Sequence, residues 1–116
     1  VVHEMGIAQQ MLSIALGAIP GDLPDPRVER LNLRVGRLAA VVADSLCFCF
    51  EIISKDTCLE GAELVIETIP VRARCRTCLH EWEVPDVVFT CPSCETGEIE
   101  IVSGRELEVA SLEIAD

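Results

Sequence analysis

With 116 residues, half of them apolar and 25% charged, the chain can fill one compact domain and a small appendage but not two full hydrophobic cores. Its 9 Lys+Arg against 20 Asp+Glu leave a formal net charge of -11, which argues against a surface built to neutralise nucleic-acid phosphates and disfavours anionic lipid for the same reason. No run approaches the roughly 20 apolar residues that span a bilayer, and the start lacks the basic-then-apolar pattern of a secretory leader, so a soluble cytoplasmic protein is expected.

In chain order, "EMGIAQQMLSIALGAI" places Ile7, Met11 and Ile14 on one stripe with Leu12 and Leu16 alongside, which predicts a helix from Glu4 to Ile19. Pro20 and Gly21 stop it, and "PGDLPDP" reads as a loop. From Val28 to Val35 the pattern alternates, with Leu31, Leu33 and Val35 on one face and Arg30, Asn32 and Arg34 on the other, as in a half-buried strand. Asp44 or Ser45 is the expected cap of a second helix through "LCFCFEIISK", whose Leu46, Cys49, Phe50 and Ile53 recur at helical spacing.

A second strand is predicted over Glu63 to Val71, with Pro70 marking an edge or a strand end. "GRELEVASLEI" forms a third, whose apolar phase slips between Val109 and Leu112 in the manner of a bulge. The cysteine-bearing segment lies between these two strands and reads as an insertion. The expected fold is therefore α+β: two helices packed on a three-stranded sheet, discontinuous over 1–72 and 98–116, with an inserted zinc-ribbon lobe over 73–97.

That insertion carries C-x2-C-x12-C-x2-C through Cys75, Cys78, Cys91 and Cys94. Two-residue spacing turns both thiolates of a pair onto one ion, and four sulfurs complete a tetrahedron. Zinc is the expected ion, with iron the alternative. Four thiolates leave no open position for water or substrate, so the metal serves structure rather than hydrolysis. A redox dithiol is disfavoured because neither pair opens a helix after a strand. His80, two residues past Cys78, reads as a polar loop residue, with a reserve ligand as the alternative. Cys47 and Cys49 point about 200° apart on a helix and cannot grip one ion. With Cys58 they read as inert thiols. No nucleophile-base pair or phosphate-cradling glycine loop is found, so no enzyme is expected.

The amino end offers a second donor set. A free amine, intervening amides once deprotonated and an imidazole at position two or three wrap an ion in a plane, a geometry that selects Ni(II) or Cu(II) over zinc. "Val-Val-His" has that spacing, and Glu4 supplies either a further carboxylate or a charge that suits the helix dipole.

Taken together, the "HEM" start, the strand ending "VG", "LCFCFE", "EGAELVIETIPVRARC", the two C-x-x-C pairs and "SGRELEVASLEI" resemble the HypA/HybF family of nickel metallochaperones over essentially the whole chain. The resemblance implies exchangeable Ni(II) cargo at His3 and Glu4 and structural Zn(II) at Cys75, Cys78, Cys91 and Cys94. It also implies delivery to the large-subunit precursor of nickel-iron hydrogenase together with a HypB-type GTPase, some members serving urease. A monomer is expected, with a strand-exchanged dimer as the alternative, and no nucleic-acid or membrane partner. Two valines stand before His3 where the family has Met, and Val2 is read as a GUG start rendered literally. Members often carry an acidic residue before the second helix, where this chain has Val42 and Ala43, so a third side-chain ligand from that loop is not expected. The competing reading is a zinc-ribbon adaptor that binds another protein and no second metal.

Overall fold

The computed structural model describes residues 2–85 and 89–115. Helix α1 (Val2–Ala18) leads through a turn-rich loop into β1 (Val28–Gly36), a single 3-10 turn (Arg37–Ala39) and α2 (Ala43–Ile53). Then follow β2 (Glu63–Ile69), β3 (Arg72–Cys75), β4 (Glu81–Glu83), β5 (Ile99–Ser103) and β6 (Leu107–Ile114). The strands form two three-stranded sheets, β2-β1-β6 and β4-β3-β5. Two compact units result, one of Val1–Arg34, Val41–Glu67 and Glu108–Asp116, the other of Val35–Ala40 and Thr68–Leu107.

In the first unit the two helices pack on each other and, with the inner face of β1, supply the core. Met11, Leu31, Leu33, Leu46 and Leu59 are fully buried in it. The buried stripe of α1 differs from the expected one. It runs through Glu4, Ile7, Ala8, Met11 and Ala15, whereas Ile14 is 52% and Leu16 42% exposed and Leu12 is half-buried. The small side chains at Ala8 and Ala15 let a neighbour approach the helix axis closely, which centres the contact there and pushes the larger residues to its flanks.

The cap of α2 also differs. Neither Asp44 nor Ser45 holds the N-cap position: Val42 does, without a side-chain cap bond, while Asp44 lies in the first turn. Along β1 the expected alternation is present, with Leu31, Leu33 and Val35 buried. Outward, Arg30 donates to Glu63 on β2 at 2.9 Å and to Glu113 on β6 at 3.0 Å. Arg34 pairs with Glu67 on β2 at 3.8 Å and with Glu108 on β6 at 3.1 Å. Each outward arginine of the central strand is thus held between carboxylates of both outer strands. Exposed pairs stabilise by only about 0.2–1 kcal/mol each, so their main effect is to mark the register. On β6 the half-buried positions are Leu107, Val109, Leu112 and Ile114, with Ala110 and Ser111 both exposed, which is the phase slip visible in the sequence.

The second unit uses the same device. Arg74, on the central strand β3, pairs with Glu81 of β4 at 3.1 Å and Glu100 of β5 at 3.0 Å. Val71, Ala73 and Val84 form a small buried core, with Trp82, Phe89, Ile99 and Ile101 packed around it. What reads in sequence as one strand over Glu63 to Val71 ends at Ile69, and pairing in the second sheet begins at Arg72. Pro70 separates the two, since it brings no N–H to a ladder. Gly36 lies against Gly104 so closely that a Cβ on Gly36 would fall 2.1 Å from the Gly104 carbonyl.

Candidate metal centres

The two cysteine pairs sit on matching turns. After Cys78 the Leu79 amide donates to the Cys75 carbonyl at 2.9 Å, and after Cys94 the Glu95 amide donates to the Cys91 carbonyl at 2.8 Å. Leu79 and Glu95 take left-handed φ values of 64 and 62 degrees, which close each loop beneath its thiols. Amides at the turns point at sulfur: Cys78 N–H toward Cys75 Sγ at 3.5 Å, and Ser93 and Cys94 N–H toward Cys91 Sγ at 3.4 Å each. This places backbone dipoles where thiolate charge develops.

All four Sγ atoms lie within 4.8 Å of one another, and among the described residues no other group of three or more His, Cys, Asp or Glu side chains is so arranged. Cys75 and Cys94 sulfurs are 3.4 Å apart, Cys78 and Cys91 sulfurs 3.6 Å. A tetrahedron with metal-sulfur bonds near 2.3 Å has edges of about 3.8 Å, so the donor set fits one tetrahedral ion with no position left open. Cys75 and Cys91 are buried and Cys78 is exposed, so the centre lies at the surface of its unit.

Cys75, Cys78 and Cys91 are pushed in different directions. The Thr96 hydroxyl, with the Cys78 amide, lowers the Cys75 thiol to about 5. Burial raises the Cys91 thiol, but the Cys94 and Ser93 amides outweigh it and hold it below its ordinary value. The His80 amide lowers Cys78, yet burial and the facing cysteines raise that thiol to about 11. Four like charges crowded together cannot all form unaided, and a divalent cation supplies the compensation. Thr96, whose Oγ1 lies 3.5 Å from both Cys75 and Cys94 sulfurs, is a participant that spacing alone does not point to. His80 is no part of the cluster. Its ring is exposed and stacks on Trp82 at 5.8 Å with planes 8 degrees apart, and its carbonyl accepts from the Cys75 amide at 2.9 Å.

At the amino end, His3 and Glu4 both lie in the first turn of α1, but their side chains have different fates. His3 is exposed, whereas Glu4 is 5% exposed and its Oε2 accepts from the Val42 amide at 3.4 Å. Burial works against ionisation of Glu4, but the Val42 amide and nearby positive charge outweigh it and hold the carboxyl below its ordinary value. Cys47, Cys49 and Cys58 join no metal-holding group among the described residues. Burial, with Asp44 and Glu51 alongside, raises the Cys47 thiol.

A helix pair on one sheet, with a second sheet closed by a tetrahedral thiol centre, defines a metal-binding α+β protein. The model of a family described as "Hydrogenase/urease nickel incorporation, metallochaperone, hypA" matches residues 2–114, and the chain belongs to that family. A hydrogenase maturation factor HypA from Desulfosudis oleivorans is 53% identical over 115 residues, covering 99% of this chain and 100% of its own length. The hydrogenase maturation factor HypA of Geobacter metallireducens is 41% identical over 113 residues, covering 97% and 99% of the two chains. The solution structure of the Ni metallochaperone HypA from Helicobacter pylori superposes with a TM-score of 0.68 at 19% identity, over 96% of each chain. A second solution structure of a HypA protein gives 0.72 at 20% identity, over 99% of this chain and 98% of the other. At those identities the superpositions establish the fold. Among the described residues no helix is long and apolar enough to cross a membrane.

Proposed function

We propose that this chain takes up one exchangeable Ni(II) ion at its amino end, through His3 with Glu4 beside it, and passes it on during maturation of nickel-iron hydrogenase. The observation that carries this reading is the family match over residues 2–114, which spans the amino-terminal histidine as well as the cysteine lobe. Physical chemistry adds support. His3 is exposed to an incoming ion, and the amides of the first turn of a helix have no intrahelical carbonyl partner. Nickel can therefore take those amides as ligands without breaking the helical ladder. The mechanism is ligand exchange rather than turnover.

Cys75, Cys78, Cys91 and Cys94 would hold structural Zn(II), which supplies charge compensation for thiolates that cannot all ionise alone. A HypB-type GTPase and the hydrogenase large-subunit precursor are the proposed partners, in the cytoplasm, with this chain acting as a monomer. The excess of carboxylates favours partners with a basic face by speeding encounter.

The test is metal content and Ni(II) titration of untagged, native-start protein beside His3→Ala. One tightly held zinc plus one exchangeable nickel, lost in the variant, supports delivery. Zinc alone in both proteins refutes it and leaves the ribbon adaptor as the better reading.

A further inference from the structure

The two cysteine turns share one plan and differ at one matched position. His80 follows Cys78 by two residues, as Thr96 follows Cys94. Each gives its carbonyl to the first cysteine of its own pair: His80 accepts from the Cys75 amide at 2.9 Å, Thr96 from the Cys91 amide at 3.0 Å. In the first turn the imidazole stacks on Trp82 and joins no sulfur. In the second the side chain meets the donor set, with Thr96 Oγ1 at 3.5 Å from both Cys75 Sγ and Cys94 Sγ. The hydroxyl thus straddles one edge of the sulfur tetrahedron, whose two atoms lie 3.4 Å apart. Cys91 Sγ faces two amides of its own turn, whereas at Cys94 Sγ the donor among the described residues is this hydroxyl.

From this arrangement we infer that Thr96 is a positioning residue for the metal of the cysteine centre, its hydroxyl donating across the edge between Cys75 and Cys94 and so retaining the ion. The inference rests on the reading of four thiolates around one structural Zn(II). Between a free thiol and a hydroxyl either atom can donate, but a metal-bound thiolate carries no proton, which leaves the hydroxyl as donor. Four thiolates on a divalent ion leave negative charge in excess, and a hydrogen bond to a charged acceptor is stronger than one between neutral groups. Repulsion between two thiolates grows as they approach. A hydroxyl proton shared by sulfurs 3.4 Å apart offsets that repulsion and keeps both on the ion. The same donor draws charge off the two sulfurs, which lowers their reactivity toward protons and slows their departure. Thr96 therefore supplies at Cys94 what the turn amides supply at Cys91.

The experiment compares wild type, Thr96→Val and Thr96→Ser in the full chain, by zinc competition against a chromogenic chelator and by the absorption of Co(II) bound in place of zinc. Valine keeps the shape of threonine without the hydroxyl, and serine keeps the hydroxyl without the methyl. Thr96→Val should bind zinc about ten- to a hundredfold more weakly, as expected for loss of a group that orients metal ligands. Its sulfur-to-cobalt charge-transfer band should move to lower energy, because the sulfurs keep more of their charge, while the d-d bands stay tetrahedral. Thr96→Ser should return both affinity and band to near wild type. A serine variant as weak as the valine variant would assign the effect to packing of the methyl group and overturn the proposal. So would wild-type affinity in Thr96→Val, or a loss of affinity there with no band shift, which would locate the effect in the fold rather than at sulfur. If Thr96→Val takes up no metal at all, Thr96→Ser decides by itself: affinity and band near wild type support the hydroxyl, and weak binding overturns it. Wild type without a four-sulfur Co(II) spectrum overturns the zinc reading itself, which none of the variant outcomes does.

Discussion

Replacing Gly36 with alanine tests the packing of the second unit against a clear opposite expectation. Gly36 has φ -73 and ψ 148, an extended conformation that alanine adopts freely. Judged by backbone alone, the substitution would stabilise by about 0.4–1 kcal/mol, through a less flexible unfolded chain. Space decides otherwise. The added methyl would lie 2.1 Å from both the carbonyl carbon and oxygen of Gly104, and 2.6 Å from the Arg105 nitrogen.

These are backbone atoms, so no rotamer change relieves the clash. Relief requires the segments to separate by more than an ångström, and two bonds hold them together: Gly36 N–H to the Glu106 carbonyl at 2.7 Å and Leu38 N–H to the Gly104 carbonyl at 2.8 Å. Losing both costs about 2 kcal/mol, at roughly 1 kcal/mol each. Overpacking adds about 1–3 kcal/mol. The expected loss is therefore about 3–5 kcal/mol, read by urea denaturation of the metal-loaded protein. Gly17→Ala is the control, since Gly17 is exposed in α1 with nothing within 4 Å of the added Cβ. There the change should stabilise by about 0.8–1 kcal/mol. Gly36→Ala as stable as wild type would show that the close approach is not a constraint, and would refute the reasoning.

Metal removal should affect the two units unequally: stripping the ion with a chelator should shift Trp82 emission to the red, because Trp82 packs against the small Val71, Ala73 and Val84 core of the second unit. The helical circular dichroism, which arises from α1 and α2 of the first unit, should persist, and its simultaneous collapse would show that the units do not melt separately. Acid should weaken the first sheet through Glu113, whose carboxyl is held below its ordinary value of 4.5 by the Asn32 amide and the Arg30 guanidinium. A depressed carboxyl contributes stability that is complete above about pH 4.5 and fades as pH falls through the lowered value, so Glu113→Gln should flatten the pH dependence of unfolding in that acid range, and an unchanged slope would count against it.

Much of this architecture can be read from residue patterns, because those patterns are themselves local physics. The alternation of Leu31, Leu33 and Val35 with Arg30, Asn32 and Arg34 is the pleat of β1 written in side chains. The phase slip between Val109 and Leu112 likewise recurs as two adjacent exposed residues on β6. Other features depend on partners remote in sequence. The stripe of α1 centres on Ala8, Met11 and Ala15 rather than on Ile14, because closeness of approach counts as well as hydrophobicity. Val42 caps α2 in place of Asp44 or Ser45, and its amide is satisfied by a carboxylate from α1, a solution that no local motif encodes.

The sequence by itself determined the donor chemistry. Two C-x-x-C pairs twelve residues apart, a histidine near the amino end and a strongly negative charge follow from residue identity and spacing, and the cysteine spacing is what points to a metal ion. Only the tertiary structure decided how those donors are held. The approach of four sulfurs to within 4.8 Å, the placement of Thr96 beside two of them and the burial of Glu4 against Val42 all depend on contacts between distant segments. Spacing constrains what neighbouring residues can do together, but the company a side chain keeps across the fold is set by packing, in which every element competes for the same space.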